Sequence, residues 1–207
     1  MNKQRMEAFT DGVYAIVITL LVLDIRIPEV PPSGLPRALA DMLPQVFTYV
    51  LSFFVVALYW FSHHRVAQQV RLIDGTFVWL NMIWLLFVTV MPFPTALLGR
   101  YPLQPLPTAI YGIDLILANV TGFVIIGYMR AHPELCRSSI DPPLFRRQIP
   151  VYALTNGAYA AAVALAWYKP WISYGLYAAV LGWLMVRFVR IPDPFATAGS
   201  IPNQGEE

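Results

Sequence analysis

The residues able to do chemistry in this chain are few and fall in three places. Arg5, Thr10 and Asp11 open the first apolar stretch, Trp60, His63, His64 and Arg65 close the second, and Asn81 lies inside the third. Ionisable groups at or within apolar segments are costly and mark ion or substrate pathways by default. Arg5 and Asp11 are six residues apart, so on a helix they point to different faces and cannot pair along it. Asp11 is expected to face inward across the helices, towards His63, His64, Trp60 or Asn81, and so to fix how the first helix is held. The bland expectation is that His63, His64 and Arg65 merely anchor a helix end at the lipid headgroups. Haem or metal ligation fits poorly, because adjacent His side chains diverge by about 100° on a helix. The third, His132, falls in a loop segment. No Ser-His-Asp set, paired catalytic carboxylates or metal set converges at one depth, so no enzyme and no cofactor are expected.

Those residues need a scaffold, and composition says which kind. Of 207 residues, 57% are hydrophobic and 13% charged, with 14% aromatic; globular chains carry about 45–50% and about 25%. Mean hydropathy is +0.56. So few charges cannot cover a soluble domain, so lipid must cover the rest, and the chain reads as an all-α integral membrane protein. A net charge of +2 without a basic run excludes a nucleic-acid partner. A single cysteine, Cys136, excludes a disulfide framework within the chain. No A-x-A-like cleavage site follows the first apolar stretch, which is read as a retained helix.

A membrane-crossing helix needs about 20 mostly apolar residues. Six spans are expected: approximately 4–26, 42–64, 74–98, 105–129, 148–168 and 171–189, one six-helix transmembrane subunit over 1–190, followed by a flexible cytoplasmic tail over 191–207. Pro28, Pro31, Pro32 and Pro36 end the first helix in a stiff loop, and Lys169-Pro170 separates the last two. With the N-terminus inside, ten of the fourteen Lys and Arg fall on inner segments (Lys3, Arg5, Arg65, Arg71, Arg130, Arg137, Arg146, Arg147, Arg187 and Arg190). That division follows the positive-inside rule and makes both termini cytoplasmic, in a cell inner (plasma) membrane. Asn119, Thr121 and Asn156 are expected to hydrogen-bond between helices. Asp114 is expected in an outer vestibule or snorkelled to the interface. Ala153, Gly157 and Ala161 form a small-residue stripe suited to helix packing.

The first helix carries the most information. On a wheel of about 100° per residue with Ile16 at 0°, Leu20 falls at about +40°, Leu23 at about −20° and Phe9 at about +20°. Thr19 sits at about −60°, on the edge of the stripe. Ile16, Leu20 and Leu23 thus form three apolar layers, one turn apart, flanked by one hydroxyl. Taken alone, such a stripe faces lipid or a neighbouring helix.

The string before it is more specific. Arg5-x-x-x-Phe9-Thr10-Asp11-x-x-x-Ala15 resembles the first-helix signature of the transmembrane protein 175 potassium channel family, with Thr10 where the family usually has Ser. Tyr59-Trp60-x-x-His63-His64-Arg65, and Asn81 through Met91-Pro92-Phe93-Pro94-Thr95, resemble further family motifs in the same order. The resemblance covers all six spans, with its specific motifs in the first three. It implies a six-helix subunit that assembles as a homotetramer around a central pore lined by the first helix and selective for potassium without the usual filter loop. It further implies that Ile16, Leu20 and Leu23 line the pore as apolar layers, Ile16 forming the constriction. Thr19 matches a pore-side hydroxyl position linked to selectivity. Arg5, Phe9, Thr10, Asp11, Trp60, His63, His64 and Asn81 become the motif and gating network. The permeating potassium ion is then the sole small partner, beside lipid and further copies of the chain. The runner-up is a secondary transporter of cations or small solutes, against which the absence of a sequence repeat between the two halves counts.

Overall fold

The structure is a computed structural model describing residues 2–26, 28–137 and 142–190, with side chains of the last segment from 146 onward. The tail expected over 191–207 lies outside the described residues. Every element is helical: α1 (Lys3–Leu23), α2 (Leu35–Asp41), α3 (Leu43–Gln69), α4 (Gly75–Val90), α5 (Pro92–Arg100), α6 (Pro105–Ala131), α7 (Pro142–Leu165) and α8 (Pro170–Arg190). Short 3-10 turns occupy Pro32–Gly34 and Pro133–Leu135. Among the described residues, five helical stretches are long and apolar enough to cross a membrane: α1, α3, α4 with α5, α6 and α8. α7 is not among them.

Polar residues set the helix ends. The Asn2 side chain accepts the Arg5 N–H at 2.9 Å and caps α1, and Asp74 accepts the Phe77 N–H at 2.7 Å and caps α4. α3, α5, α6, α7 and α8 all carry proline within their first two positions, where the missing N–H has no intrahelical partner to lose. For that reason the Pro142-Pro143 pair, expected to mark a turn, instead starts α7 ahead of residue 148. Pro150 then sits inside α7 and denies the Arg146 carbonyl its usual donor. The stiff loop expected at Pro28–Pro36 likewise contains a turn and the start of α2.

The third expected span is two helices broken at Met91. Pro92 and Pro94 donate nothing to the ladder, and Thr95 restarts it by bonding the Met91 carbonyl through both its N–H (3.1 Å) and its hydroxyl (2.7 Å). Thr95 also lies 2.8 Å from Ser52 Oγ, and Ser52 lies 3.1 Å from the Tyr111 hydroxyl, so one buried polar chain ties α5 to α3 and α6.

α6 is the central post, packed by α4, α5, α7 and α8, while α1 lies across α3, α4 and α5. Below, the α3–α4 connection is pinned to the segment after α6. Arg71 and Leu72 N–H groups donate to the Leu135 carbonyl and Arg137 N–H to Gln69, around a bridge between Val70 and Cys136.

Several side-chain expectations are corrected here. Thr121 donates to the Leu117 carbonyl and Asn156 to Tyr152, both within their own helices, because the carbonyl four residues back is the nearest acceptor. Asn119 Nδ2 has no partner among the described residues. Asp114 is neither in a vestibule nor snorkelled: it is buried, with Oδ2 lacking a partner among the described residues. Ala153, Gly157 and Ala161 are exposed, and the packed small residues of that hairpin are Ala162 and Ala166, with Ser173 of α8 donating to the Ala162 carbonyl at 2.6 Å.

Candidate ion-pathway helix and the cluster that holds it

α1 has two faces. Met6, Thr10, Tyr14, Val17 and Leu21 are buried against the rest of the subunit. Their mean direction lies about 120° around the helix from Ile16. The Ile16 stripe is left uncovered: Ile16 is 59% exposed, Leu20 42% and Leu23 69%, with Phe9 and Gly12 on the same side. No other helix of the described subunit packs over those layers. Thr19 is exposed beside them, and its hydroxyl donates to the Ile16 carbonyl at 2.8 Å. With its proton committed to the backbone, the Thr19 oxygen presents lone pairs outward.

A chain of hydrogen bonds holds that orientation. Asn81 of α4 is wholly buried; its Nδ2 donates to Thr10 Oγ1 at 3.1 Å, and its Oδ1 lies 2.6 Å from His63 Nε2 of α3. Because the Asn81 amide nitrogen is spent on Thr10, its carbonyl faces the imidazole, so His63 Nε2 must carry a proton. One turn further along α1, Tyr14 accepts from Trp84 Nε1 of α4. The His63 ring lies 6.2 Å from Tyr14 and 6.0 Å from Trp84, and Tyr59 meets Trp84 edge-on at 5.8 Å. Buried polar groups satisfied in this manner specify one arrangement, since any rotation of α1 strands a donor in an apolar environment.

The expected inward-facing Asp11 behaves differently. Asp11 stays exposed and reaches one of its four candidate partners, accepting from Trp60 Nε1 at 2.9 Å. The residue that turns into the bundle is its neighbour Thr10, about 100° away on the helix. His64 is exposed, stacked on Trp60 at 5.8 Å and paired with Gln68. Arg65 lies over the Phe188 ring of α8 at 3.5 Å. Arg5 is exposed, and its side chain takes no part in the cluster. His63, Asn81 and Thr10 are therefore brought together, Asp11 and Trp60 form a second outer contact, and Arg5 and Phe9 join neither.

Tyr14 and Trp84 were not anticipated, yet a signal existed. Tyr14 follows Thr10 by four residues and Trp84 follows Asn81 by three, so each shares a face with a motif residue. Gly122 of α6 is the third omission. A methyl on Gly122 would overlap the Trp84 ring, so only glycine lets the indole approach α6 this closely. Outside the membrane-spanning segments, the Tyr128 hydroxyl and then the Phe77 N–H hold the Asp74 carboxyl below its ordinary range. Burial pushes the Cys136 thiol up. Among the described residues no group of three His, Cys, Asp or Glu converges on a metal-sized site.

Comparison with known proteins converges on one family. The family model of the endosomal/lysosomal potassium channel TMEM175 matches residues 5–92, the stretch holding α1, α3, α4 and the whole cluster. A potassium channel of Chryseobacterium sp. strain P1-3 is 32% identical over 189 residues, 89% of this chain and 94% of the relative. A potassium channel of Streptomyces collinus is 32% identical over 209 residues, 97% and 99% of the two chains. The fold is similar to the crystal structure of a lysosomal potassium-selective channel TMEM175 homolog from Chamaesiphon minutus, with a TM-score of 0.77 and 29% identity over 89% of this chain and 97% of that one. Full-length likeness in sequence and in fold, with a matched segment that takes in the helix and the cluster just described, means that the chain belongs to the TMEM175 potassium channel family.

Proposed function

We propose that this chain is the pore-forming subunit of a potassium-selective, leak-type cation channel, with four copies placing α1 around a central pore. The observation that carries the reading is the division of α1 into a face locked by Thr10 and Tyr14 and a bare face bearing Ile16, Leu20 and Leu23. A helix held so firmly on one side presents the other to whatever lies outside the subunit, and its Thr19 oxygen suits a cation better than lipid. In a ring of four, the branched side chain of Ile16 would close the passage by dewetting, without a charged plug. Opening would rotate or shift α1, exchanging Ile16 for Gly12 or Thr19, and the Thr10–Asn81–His63 bonds set the resistance to that rotation. Asp11 and Trp60, with His64 stacked on Trp60, form the outer part of the same device, and Arg5 and Phe9 are assigned to it by the family motif alone.

α7 is the sixth span in this reading. Its 24 residues reach about 36 Å, enough for a hydrocarbon layer of about 30 Å. Both termini then lie on the cytoplasmic side of the cell inner membrane, an orientation that the distribution of Lys and Arg supports.

Ion flux through the purified protein in liposomes tests the proposal. Under a potassium gradient the current should reverse near the potassium equilibrium potential, and a matched sodium gradient should drive much less. Ile16→Asn should raise conductance and weaken selectivity. Unchanged currents in that variant would remove Ile16 from the constriction, and slow, saturable, counter-ion-dependent flux would show a secondary transporter instead.

A further inference from the structure

A cavity of about 440 Å3 lies between α3, α6, α7 and α8, with Trp84 of α4 at one wall and no contribution from α1. Its size and mostly apolar walls are those of a site for a small organic molecule. The deep half is bounded by Val55 and Tyr59 of α3, Asn119 of α6, Thr155 and Tyr159 of α7 and Leu181 of α8, none of them charged. Tyr159 stands about 25 Å along α7 from Pro142, so this half lies well away from the ends at which α7 starts and α8 stops. Two of the hydroxyls there are spent. Thr155 donates to the Val151 carbonyl at 2.7 Å, and Tyr59 to the Leu115 carbonyl at 3.3 Å. Tyr159 is different: it is 3% exposed, and its hydroxyl has no hydrogen-bond partner among the described residues. Asn119 Nδ2 is likewise enclosed without one.

A buried O–H or N–H with nothing to donate to carries its full desolvation cost, so unspent donors in a cavity wall call for an acceptor. A carbonyl oxygen, with two lone pairs and no proton of its own, answers that need. The walls at this depth are neutral, which favours a neutral acceptor over an ion. Water alone would satisfy the donors and leave the apolar walls wet. Tyr59, Trp84, Tyr152 and Tyr159 add four aromatic side chains, against which a flat ring packs well. We infer that the cavity binds an uncharged, lipid-soluble aromatic carbonyl compound, its ring among Tyr59, Trp84 and Tyr152 and its oxygen accepting from the Tyr159 hydroxyl. Trp84 links this site to α1, because the indole that walls the cavity also donates to Tyr14. An occupant thus bears on the rotation of α1, a consequence that rests on the channel reading.

Photolabelling of the full-length protein in detergent micelles with benzophenone tests this. The light-excited carbonyl oxygen takes a hydrogen atom from a neighbouring C–H and the two carbon radicals join, so the adduct keeps every atom of both partners. Mass spectrometry of the digested protein should place one saturable adduct on the lining segments of α3, α7 or α8, around Leu58, Val151 or Leu181. Tyr159→Phe should raise the half-saturating concentration about fivefold. Because the lost hydroxyl has no partner among the described residues, the unfolding midpoint of that variant should not fall. Tyr177→Phe should leave labelling unchanged, since that hydroxyl is spent on the Thr108 carbonyl and Tyr177 does not line the cavity. Leu184→Trp, which narrows the cavity, should lower labelling with Tyr159 intact. Methyl benzoate should compete better than sec-butylbenzene, its hydrocarbon isostere, at equal mole fraction in the micelle. Adducts confined to lipid-facing residues, labelling indifferent to Tyr159→Phe, an equal effect of Tyr177→Phe, or equal competition by the two isosteres would overturn the assignment. Labelling is read by mass and not by current, so a negative result leaves the channel reading standing.

Discussion

If the buried Thr10–Asn81–His63 chain sets the orientation of α1, then Thr10 and Asn81 must be energetically coupled. Asn81→Leu keeps the volume and removes two interhelical hydrogen bonds, of 2.6 and 3.1 Å. Side-chain hydrogen bonds between membrane helices are each worth about 0.6 kcal/mol on average and reach about 1.7. The substitution also leaves the His63 Nε2–H buried with no acceptor, a further loss of about 1–3 kcal/mol. The total expected for Asn81→Leu is about 2–4 kcal/mol. Thr10→Val, which loses the 3.1 Å bond and leaves Asn81 still bonded to His63, should cost about 1 kcal/mol. In a double-mutant cycle the pair should couple by about 0.6–1.7 kcal/mol, since the Thr10 bond is already gone once Asn81 is Leu. The assay is equilibrium unfolding in mixed micelles by tryptophan fluorescence, at one protein concentration so that assembly contributes equally to all four corners. Additivity within about 0.3 kcal/mol would refute the reasoning, because the two side chains would then not share a bond that matters.

Three further outcomes follow from the geometry. Gly122→Ala forces a methyl into the Trp84 ring and should destabilise by about 1–3 kcal/mol, whereas Gly127→Ala, which meets open space, should stay within about 0.5 kcal/mol of wild type; equal behaviour of the two would show that the indole does not lie on α6. Asp74 has a folded-state pKa below its ordinary value, so its contribution is fully present above about pH 4 and is lost as pH falls through the depressed value; the stability gap between wild type and Asp74→Asn should therefore be flat at neutral pH and close in acid, and a gap that grows on acidification would reverse the sign. Trp60→Phe removes the indole N–H that meets the exposed Asp11 and should cost no more than about 1 kcal/mol in unfolding while changing potassium flux; unchanged flux would place the outer contact outside gating.

Much of the candidate site was legible because membrane-protein sequences are written in a restricted alphabet. The Ile16–Leu20–Leu23 stripe follows from helical periodicity, but that it is left uncovered does not. The polar partners were named as a group, yet the wrong neighbour was turned inward: periodicity fixes relative directions along α1 and leaves its absolute rotation open. Packing settled that rotation, because Asn81 and Trp84 sit one turn apart on α4 and meet Thr10 and Tyr14 one turn apart on α1. Pro142 and Pro143 misled, since a proline pair reads as a break, whereas here it begins α7.

By itself the sequence determined that the chain lives in lipid, where its long apolar stretches lie, and which residues of α1 share a face. Each of these depends on composition or on spacing within one helix, and local chemistry suffices for them. Tertiary structure alone decided which face of α1 is covered, that Thr10 and not Asp11 completes the buried chain, that Gly122 admits Trp84, and that Tyr59, Asn119 and Tyr159 line one cavity. Those facts depend on distances between residues dozens of positions apart, and such distances are set by how whole helix surfaces fit together.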